Sequence, residues 1–293
     1  MLNEKKSIQI KKIVFLTQAT YEKQLTLFKN QMQKNMAEEG IQLCFCQAAS
    51  VTGQLEREQK GHPAALYVTD TQQILHLLLE REFYVAALYH AWNKGEDLSE
   101  ASFAIEQPEE LTASDWQQIF DRLAGQPWQI LSTTRLLVRE TTEADVKAFY
   151  EIYQEPSITY YMENLYEDPD QEIAYTREYI DNVYGFYGYG MWTVIGKKTG
   201  QIIGRAGLGN REGYDIPELG FVIRKEEQRK GYAYEVCAEI LEYGRKRLAF
   251  RQIQALAEPG NLPSRRLLQK LGFQEQALVS EQRKEYCRYL WTI

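Results

Sequence analysis

The sequence predicts an α/β protein of two domains, an N-terminal domain with a parallel sheet and a C-terminal mixed α+β domain. The length of 293 residues suggests two domains rather than one. Short apolar runs alternate with helical stretches up to residue 125, and a new pattern begins after residue 132. Between them, the Gly and Pro of Gly125–Trp128 end a helix. We therefore predict domains at residues 1–126 and 132–293.

Composition narrows the class of protein. Hydrophobic residues make up 44% and charged residues 26% of the chain, as is ordinary for a soluble globular protein. No apolar run approaches the roughly eighteen residues of a membrane span, and Met1–Lys12 has no signal-peptide pattern, so a cytoplasmic location without a membrane partner is expected. The net charge of −7 argues against a general nucleic-acid binder. The four cysteines and three histidines form no metal-site pattern, so we expect reduced thiols and no metal.

The N-terminal domain is predicted to have a Rossmann-like parallel sheet flanked by helices. The predicted strands are Ile13–Leu16, Ile41–Gln47, Ala64–Thr69, Val85–Tyr89 and Ser102–Ile105. The predicted helices are Glu22–Glu39, Gln72–Arg81 and Ala113–Leu123. Ligands in such sheets bind beyond the carboxyl ends of the strands, which makes Asp70 a candidate site residue. An Asp that closes a strand is also a common helix N-cap, and both interpretations stay open.

Part of this domain resembles the C-terminal half of a haloacid dehalogenase-like phosphatase. The resemblance is carried by Leu66–Thr71, Arg81–Val85, Asn93–Ser99 and Ala104–Leu111. It implies that Asp70 occupies the family's acidic, metal-supporting position. The family's nucleophile is an Asp of an Asp-x-Asp pair after the first strand, where this chain has Thr17-Gln18-Ala19-Thr20. We therefore expect a degenerate relative without phosphatase activity.

The C-terminal domain begins with a predicted strand at Arg135–Glu140 and a helix opened by Thr141–Asp145, whose acids suit a first helical turn. A second helix is predicted at Pro169–Val183. The further predicted strands are Met191–Lys197, Gln201–Leu208, Glu218–Ile223, Gln252–Glu258 and Leu278–Ile293, the last as a long hairpin.

The most informative stretch is Glu218–Glu235. An apolar strand ends at Ile223, and helical spacing begins at Tyr234. Between them lies Gln228-x-x-Gly231-x-Ala233, whose small residues let the backbone turn sharply and approach a ligand. The new helix directs its unpaired N–H groups and positive dipole end at that turn, and the usual ligand is phosphate.

This turn resembles the pyrophosphate-binding motif of the GNAT superfamily of N-acetyltransferases. A second block, Asn261–Phe273, resembles the family's Asn-x-x-Ser/Ala…Lys-x-Gly-Phe segment. The resemblance covers nearly all of residues 132–293 and is closest to the branch of ribosomal-protein alanine acetyltransferases. It implies a mixed α+β GNAT fold, acetyl-CoA as cosubstrate without a metal, and an amine as acceptor.

The resemblance also implies a set of cofactor contacts. The edge of Phe221, Val222 and Ile223 would pair with the pantetheine arm, and Asn261 would bind it as well. Ser264 is either a phosphate contact or a helix cap, and Arg265 and Arg266 are either contacts of the adenosine phosphates or an exposed helical face. The residues expected around the pyrophosphate are Gln228, Arg229, Lys230, Gly231, Tyr232, Ala233 and Tyr234.

Glu218 is the candidate base that takes the amine proton, and its alternative role is an ion pair with a surface Arg. Leu268 stands where many relatives have the Tyr that serves as acid. Nine acids between Glu151 and Asp181, Glu163 among them, favour a cationic acceptor, since the resemblance puts these helices beside the acceptor cleft. The candidate aromatic walls, which are equally core or loop residues, are Tyr160, Tyr161, Tyr187, Tyr189 and Trp192.

Two functions are compatible with these residues. The first is direct transfer of an acetyl group from acetyl-CoA to a primary amine, either a small cationic amine or a protein N-terminus. The second is a catalytically weak CoA-binding sensor or scaffold protein. The oligomeric state is left open, with a homodimer among the options.

Overall fold

The structure, a computed structural model, describes residues 8–18, 29–30, 32–48, 64–162, 164–281 and 284–292. The chain forms two compact units, Met1–Trp128 and Gln129–Ile293. No helix in the described ranges is long and apolar enough to cross a membrane.

The first unit contains a parallel sheet, as predicted. Its strands lie in the order β2-β1-β3-β4-β5, and each neighbouring pair is parallel. The strands are β1 (Lys12–Thr17), β2 (Gln42–Gln47), β3 (Ala65–Thr69), β4 (Val85–Leu88) and β5 (Ala104–Ile105). The helices are α1 (Gln72–Glu80) and α2 (Ala113–Leu123), and residues 32–38 are helical too. The remainder of the predicted helix Glu22–Glu39 lies largely outside the described residues.

Both faces of this sheet are buried. Ile13 and Phe15 enter one hydrophobic cluster, which includes Trp116 of α2. Val14 and Leu16 enter the cluster on the other side, which includes Leu78 of α1. Successive residues of β1 thus serve opposite cores, which explains why the strand is apolar throughout.

Asp70 does not cap a helix, so the N-cap interpretation is wrong. The N-cap of α1 is Thr71, and its side chain makes no capping bond. The Asp70 carboxylate is fully buried and accepts from the Gln18 backbone N–H at 3.0 Å. His90 Nε2 lies 3.0 Å from the same carboxylate. Asp70 therefore joins the ends of β1 and β4 at the carboxyl edge of the sheet.

The second unit is built on a mixed sheet in the order β12-β13-β11-β10-β9-β8-β7-β6. All neighbours are antiparallel except β10 and β11. The strands are β6 (Gln129–Ser132), β7 (Leu136–Arg139), β8 (Met191–Gly196), β9 (Gln201–Gly209), β10 (Glu218–Ile223), β11 (Gln252–Ala257), β12 (Gln274–Glu281) and β13 (Lys284–Thr292). The helices are α3 (Val146–Tyr153), α4 (Pro156–Thr159), α5 (Pro169–Tyr179), α6 (Gly185–Tyr187), α7 (Tyr232–Lys246) and α8 (Leu262–Lys270).

Two sequence predictions for this sheet require correction. The sheet does not begin near Arg135, because β6 precedes β7 and pairs with it. The final hairpin begins at Gln274, four residues before its predicted start. β6 has only four residues and β12 is exposed along most of its length, so neither shows the apolar period that marks a strand.

Helices cover both faces of the sheet. Phe149 of α3 lies against Arg205 of β9, and Gly244 of α7 packs on Leu208 from the other side. The predicted helix Pro169–Val183 is α only to Tyr179. It continues as a π-helical turn, Ile180–Tyr184. Because π turns bond i to i+5, Tyr179 and Tyr184 both reach the start of β8.

Candidate active site

The site begins where two parallel strands separate. Within the described residues, β10 and β11 pair only at Glu218 and Gln254. The Gln254 N–H also donates to the Pro217 carbonyl at 2.9 Å. Beyond this point the strands diverge, and the edge of Phe221–Ile223 borders a cavity of about 1450 Å³. Such an edge offers backbone N–H and C=O groups to an extended ligand.

The turn between β10 and α7 has a shape suited to an anion. Arg229 and Gly231 both have left-handed backbone, with φ of 61° and 84°. Gly231 is the N-cap of α7 and offers no capping side chain, so the first N–H groups of the helix are left to a ligand. Alternating left-handed residues before a helix form the concave arrangement of N–H groups that binds phosphate.

Arg135, which sequence reasoning missed, holds this turn from outside. Its guanidinium pairs with Glu235 at 2.6 Å, donates to the Lys230 carbonyl at 3.0 Å and stacks over the Tyr232 ring at 4.5 Å. A Cβ on Gly231 would lie 3.4 Å from the same guanidinium. An Arg in the short connection between β6 and β7 gives no sequence signal for such a role.

The predicted pyrophosphate residues do not all face the cavity. Six of them line it: Gln228, Arg229, Gly231, Tyr232, Ala233 and Tyr234. Lys230 is not among the lining residues, and its ammonium pairs with Glu227 at 3.0 Å. The Gln228 amide donates to the Ile223 carbonyl at 2.9 Å and so ties the turn to the end of β10.

The second motif lies across the cavity. Asn261 and Ser264 both line it, but the cap of α8 is Asn261, whose Oδ1 accepts from the Ser264 N–H at 3.2 Å. The cap alternative for Ser264 is therefore wrong. Arg265 and Arg266 are not among the lining residues. Arg265 bonds Tyr289 at 2.9 Å and pairs with Glu275.

Glu218 lies on the cavity wall, as a base would, and it also forms the ion pair with an Arg that was its alternative role. Its side chain is only 18% exposed, and Arg211 Nη1 lies 3.2 Å from each carboxylate oxygen. Burial raises the pKa of Glu218 above its usual value, and the Arg211 cation partly opposes that rise. Arg211 also pairs with Glu281 at 2.7 Å. Glu218 is thus a largely buried carboxylate with a raised pKa, held in place by a guanidinium that it shares with Glu281.

The aromatic wall differs from the prediction. Only Tyr161 of the five predicted residues lines the cavity. Trp192 is fully buried and packs on Tyr243, so its wall assignment is wrong. Tyr175 and Tyr179 of α5 do line the cavity, and their i,i+4 spacing on one helix face was the signal available in the sequence.

Fewer acidic residues line the cavity than the sequence predicted. Of the described acids between Glu151 and Asp181, Glu172 alone lines the cavity, and Glu163 lies outside the described residues. Glu172 is 3% exposed and accepts from the Tyr166 N–H at 3.1 Å. Leu268 is fully buried and absent from the wall. The described residues contain no cluster of His, Cys, Asp or Glu suited to a metal ion.

Comparison with known proteins places this unit in a family. Residues 135–274 match the family model described as "Acetyltransferase (GNAT) domain". The uncharacterized N-acetyltransferase YnaD of Bacillus subtilis (strain 168) is 31% identical over 152 residues, which cover 52% of this chain and 86% of that protein. The chain belongs to the GNAT acetyltransferase family. It is accordingly an N-acetyltransferase.

Other acetyltransferases are similar over comparable lengths. The uncharacterized N-acetyltransferase p20 of Bacillus licheniformis is 28% identical, covering 53% of this chain and 88% of that protein. A GNAT-family acetyltransferase structure from Bacillus anthracis covers 55% of this chain and 97% of its own, with a TM-score of 0.48 and 21% identity. The structure of RimL, a ribosomal L7/L12 α-N-protein acetyltransferase, covers 57% and 96%, with a TM-score of 0.49 and 12% identity.

Proposed function

We propose that this GNAT enzyme transfers the acetyl group of acetyl-CoA directly to a primary amine while both are bound. The observation that carries the proposal is the separation of β10 from β11, which leads to the uncapped N-terminus of α7. An open strand edge suits the amide-bearing pantetheine arm, and the turn at Arg229–Tyr234 suits the pyrophosphate.

The residues that would hold acetyl-CoA follow from this geometry. The backbone edge of Phe221–Ile223 and the Asn261 carboxamide would bind the pantetheine. The N–H groups of the turn before α7, with Ser264 across the cavity, would bind the phosphates. Acetyl-CoA supplies an activated thioester, so the chain has only to position the amine and accept its proton.

Glu218 is the proposed base. A carboxylate with a raised pKa takes up a proton near neutral pH more readily than an ordinary one, and its place on the cavity wall suits an incoming amine. The nitrogen–carbon bond forms as the carbon–sulfur bond breaks, the amine proton passes to Glu218, and the sulfur leaves as thiolate. Leu268, at the position of the acid in many relatives, is buried and cannot donate a proton. We assign no dedicated acid, because a thiolate is a good leaving group without one.

The acceptor is proposed to be a small cationic amine or a protein N-terminus. Glu172 supports a cationic group, because it is a buried carboxylate on the cavity wall with one backbone partner. The tyrosines of α5 would form one wall of the acceptor site.

We propose that the N-terminal unit, residues 1–126, is a Rossmann-like, haloacid dehalogenase-related domain without phosphatase activity. The parallel order β2-β1-β3-β4-β5 supports a doubly wound sheet. The Asp70 carboxylate is occupied by Gln18 and His90, which supports a structural role. We place the acetyltransferase domain at residues 132–293 and the protein in the cytoplasm, where the free thiols of its described cysteines would persist.

Release of CoA thiol in the presence of acetyl-CoA and a panel of amines tests the function. We expect amine-dependent release over many turnovers, with acetylated amine as product by mass spectrometry. Double-reciprocal plots should intersect, because direct transfer needs both substrates bound, whereas an acetyl-enzyme gives parallel lines. Tight CoA binding with no turnover on any amine would favour the sensor or scaffold function instead.

A further inference from the structure

Arg205 lies in the wall of the active-site cavity, where no anionic side chain among the described residues pairs with it. It lies on β9 between Thr193 of β8 and Val222 of β10. Its Nε is buried and unpaired, and among the described residues its guanidinium makes no hydrogen bond or ion pair. The guanidinium lies over the Phe149 ring, 4.6 Å from the ring centroid.

Each of the other half-buried arginines of this unit that the structure describes has a hydrogen-bond or ion-pair partner, although Arg224 Nε is also buried and unpaired. Their partners are Asp145 for Arg139, Glu218 for Arg211, Glu151 for Arg224, Glu242 for Arg245, Glu275 for Arg265 and Gln254 for Arg288. Removing a guanidinium from water without an anion costs free energy, so an unpaired one is unusual unless a ligand completes it. The Phe149 contact stabilises the cation but leaves its N–H donors unused.

The polar side chains near Arg205 do not hydrogen-bond or pair with its guanidinium. The Tyr179 hydroxyl accepts from the Met191 N–H at 2.8 Å, and the Tyr184 hydroxyl donates to the Met191 carbonyl. Glu172 lines the same cavity but makes no ion pair with Arg205 among the described residues. The cavity wall therefore contains a cation, Arg205, and a carboxylate, Glu172, that do not pair with each other.

Arg205 lies on the same face of the sheet as the proposed base. Its strand partner Val222 is four residues from Glu218 along β10, and alternate residues of a strand share a face. Four residues of strand span about 13 Å between Cα atoms. The Arg205 and Glu218 side chains thus border one acceptor space from its two ends.

We propose that Arg205 binds a carboxylate on the acceptor, so that the substrate class is amines that carry a carboxylate group. This rests on the acetyl transfer proposed above. A planar guanidinium matches a carboxylate in two parallel hydrogen bonds. A single guanidinium balances one carboxylate charge better than a phosphate dianion. Of the other cations that line the cavity, Arg211 pairs with Glu218 and Glu281, and Lys284 pairs with Glu258. Arg229 and Lys270 have no anionic partner among the described residues, but Arg229 lies in the turn assigned to the pyrophosphate and Lys270 stacks over Tyr234 of that turn.

The test compares amino acids with their own carboxamides as acceptors, over α-amino and longer ω-amino acids. The pair differs by one charge at nearly constant shape. The α-carboxamides have the less basic amine, so intrinsic reactivity at neutral pH favours them. We expect the wild type to prefer the carboxylate in kcat/KM for at least one pair, by roughly ten- to hundredfold, the effect of a hydrogen bond to a charged group.

Arg205→Gln should abolish that preference and leave the KM for acetyl-CoA unchanged. Arg205→Lys keeps the charge without the planar fork and should retain part of the preference, which also covers the case that the Gln variant does not fold. Arg245→Gln, which removes an arginine on the outer face of α7, is the matched control and should keep the full preference.

Several results would overturn the assignment. These are a wild-type preference for the carboxamide in every pair, an unchanged ratio in a folded Arg205→Gln and, where the Gln variant does not fold, full retention of the preference in Arg205→Lys. Acetylation confined to phosphate-bearing amines or to peptide N-termini would also overturn it while leaving the proposed transferase function intact. No acetylation of any amine or carboxamide would instead overturn the proposed function itself.

Discussion

At the scale of single residues, Glu218 is the proposed base and arginines set its surroundings. Its carboxylate is largely buried on the cavity wall, and Arg211 pairs with both Glu218 and Glu281. Burial raises the pKa of Glu218, and the guanidinium limits that rise. A carboxyl whose pKa is raised holds the proton that it accepts more firmly than an ordinary carboxyl does, which suits a base.

Replacing Glu218 with Gln keeps shape and hydrogen bonding but removes basicity. We expect the transfer rate to fall by about two to four orders of magnitude, the usual effect of a positioned base, with little change in acetyl-CoA affinity. The deficit should shrink at high pH, where more of the amine is already neutral. A pH–rate profile that superimposes on the wild type would exclude the base role.

Arg211→Gln is the companion change. Without the cation, the pKa of Glu218 should rise further. The base must be ionised to accept a proton. As the pH is lowered, activity should therefore begin to fall at a higher pH in the variant than in the wild type. If the acidic limb of the pH–rate profile stayed in the same place or moved to lower pH, the group that titrates in that limb would not be Glu218.

The sequence could single out Glu218, Gly231 and Asn261 because a motif fixes their spacing along the chain. It could not single out Arg135, Arg205 or Arg211. Each of these acts through neighbours brought together by folding, such as Glu235, one hundred residues from Arg135. Whether a half-buried Arg is paired depends on the whole set of packed elements.

At the scale of elements, the π turn after α5 positions one wall of the proposed acceptor site. Tyr179 and Tyr184 both contact Gly190, where a Cβ would lie 2.7 Å from the Tyr179 hydroxyl and 2.8 Å from the Tyr184 ring. The two rings pack edge to face, and both hydroxyls bond the Met191 backbone. The absence of a side chain at Gly190 thus lets two tyrosines close over the start of β8.

Gly190→Ala should therefore destabilise the protein by about 1–3 kcal/mol, the range for overpacking a filled core. Urea unfolding followed by circular dichroism measures the change. Gly185→Ala is the control: it has helical backbone and nothing within 4 Å of the added Cβ, so it should be neutral or stabilising by up to about 1 kcal/mol. Equal unfolding midpoints for both variants would contradict this account of the turn.

Sequence periodicity located the long buried strands to within about one residue, since β10 was predicted at its observed bounds. It missed the π turn, because one extra residue in a helix leaves composition and spacing almost unchanged. It missed β6 because four residues with one buried side chain carry no period.

At the scale of the whole molecule, the two units differ in what their sheet edges offer. In the first, the groups at the carboxyl edge satisfy one another, as Asp70, His90 and Gln18 do. In the second, the described part of the cavity wall presents an open strand edge and, at Arg205, a guanidinium with no anionic partner. A closed polar network supports structure, and an open one supports binding.

The full-length protein should accordingly show no magnesium-dependent hydrolysis of p-nitrophenyl phosphate. Neither Thr17, the last residue of β1, nor Gln18 after it has a carboxylate, and Gln18 and His90 bind the Asp70 carboxylate. Asp70→Asn should lower thermal stability, because it removes a buried charged partner of His90, and should leave phosphate release at the background rate. Magnesium-dependent turnover that disappears in Asp70→Asn would show that the N-terminal unit is a phosphatase.

We propose that the turn before α7 holds acetyl-CoA for transfer to an amine. The most direct test is steady-state release of CoA thiol, with the best amine of the panel, by wild type, Gly231→Val and Gly200→Val. Both glycines have left-handed backbone, with φ of 84° and 67°, so both substitutions strain a turn. Of these two glycines, Gly231 lines the cavity and Gly200 does not.

We predict amine-dependent turnover by the wild type and by Gly200→Val. Gly231→Val should lose it, together with acetyl-CoA binding by calorimetry, because a branched side chain fills the space that the pyrophosphate needs. Equal turnover and equal affinity in Gly231→Val, or no amine-dependent release by the wild type, would contradict the account.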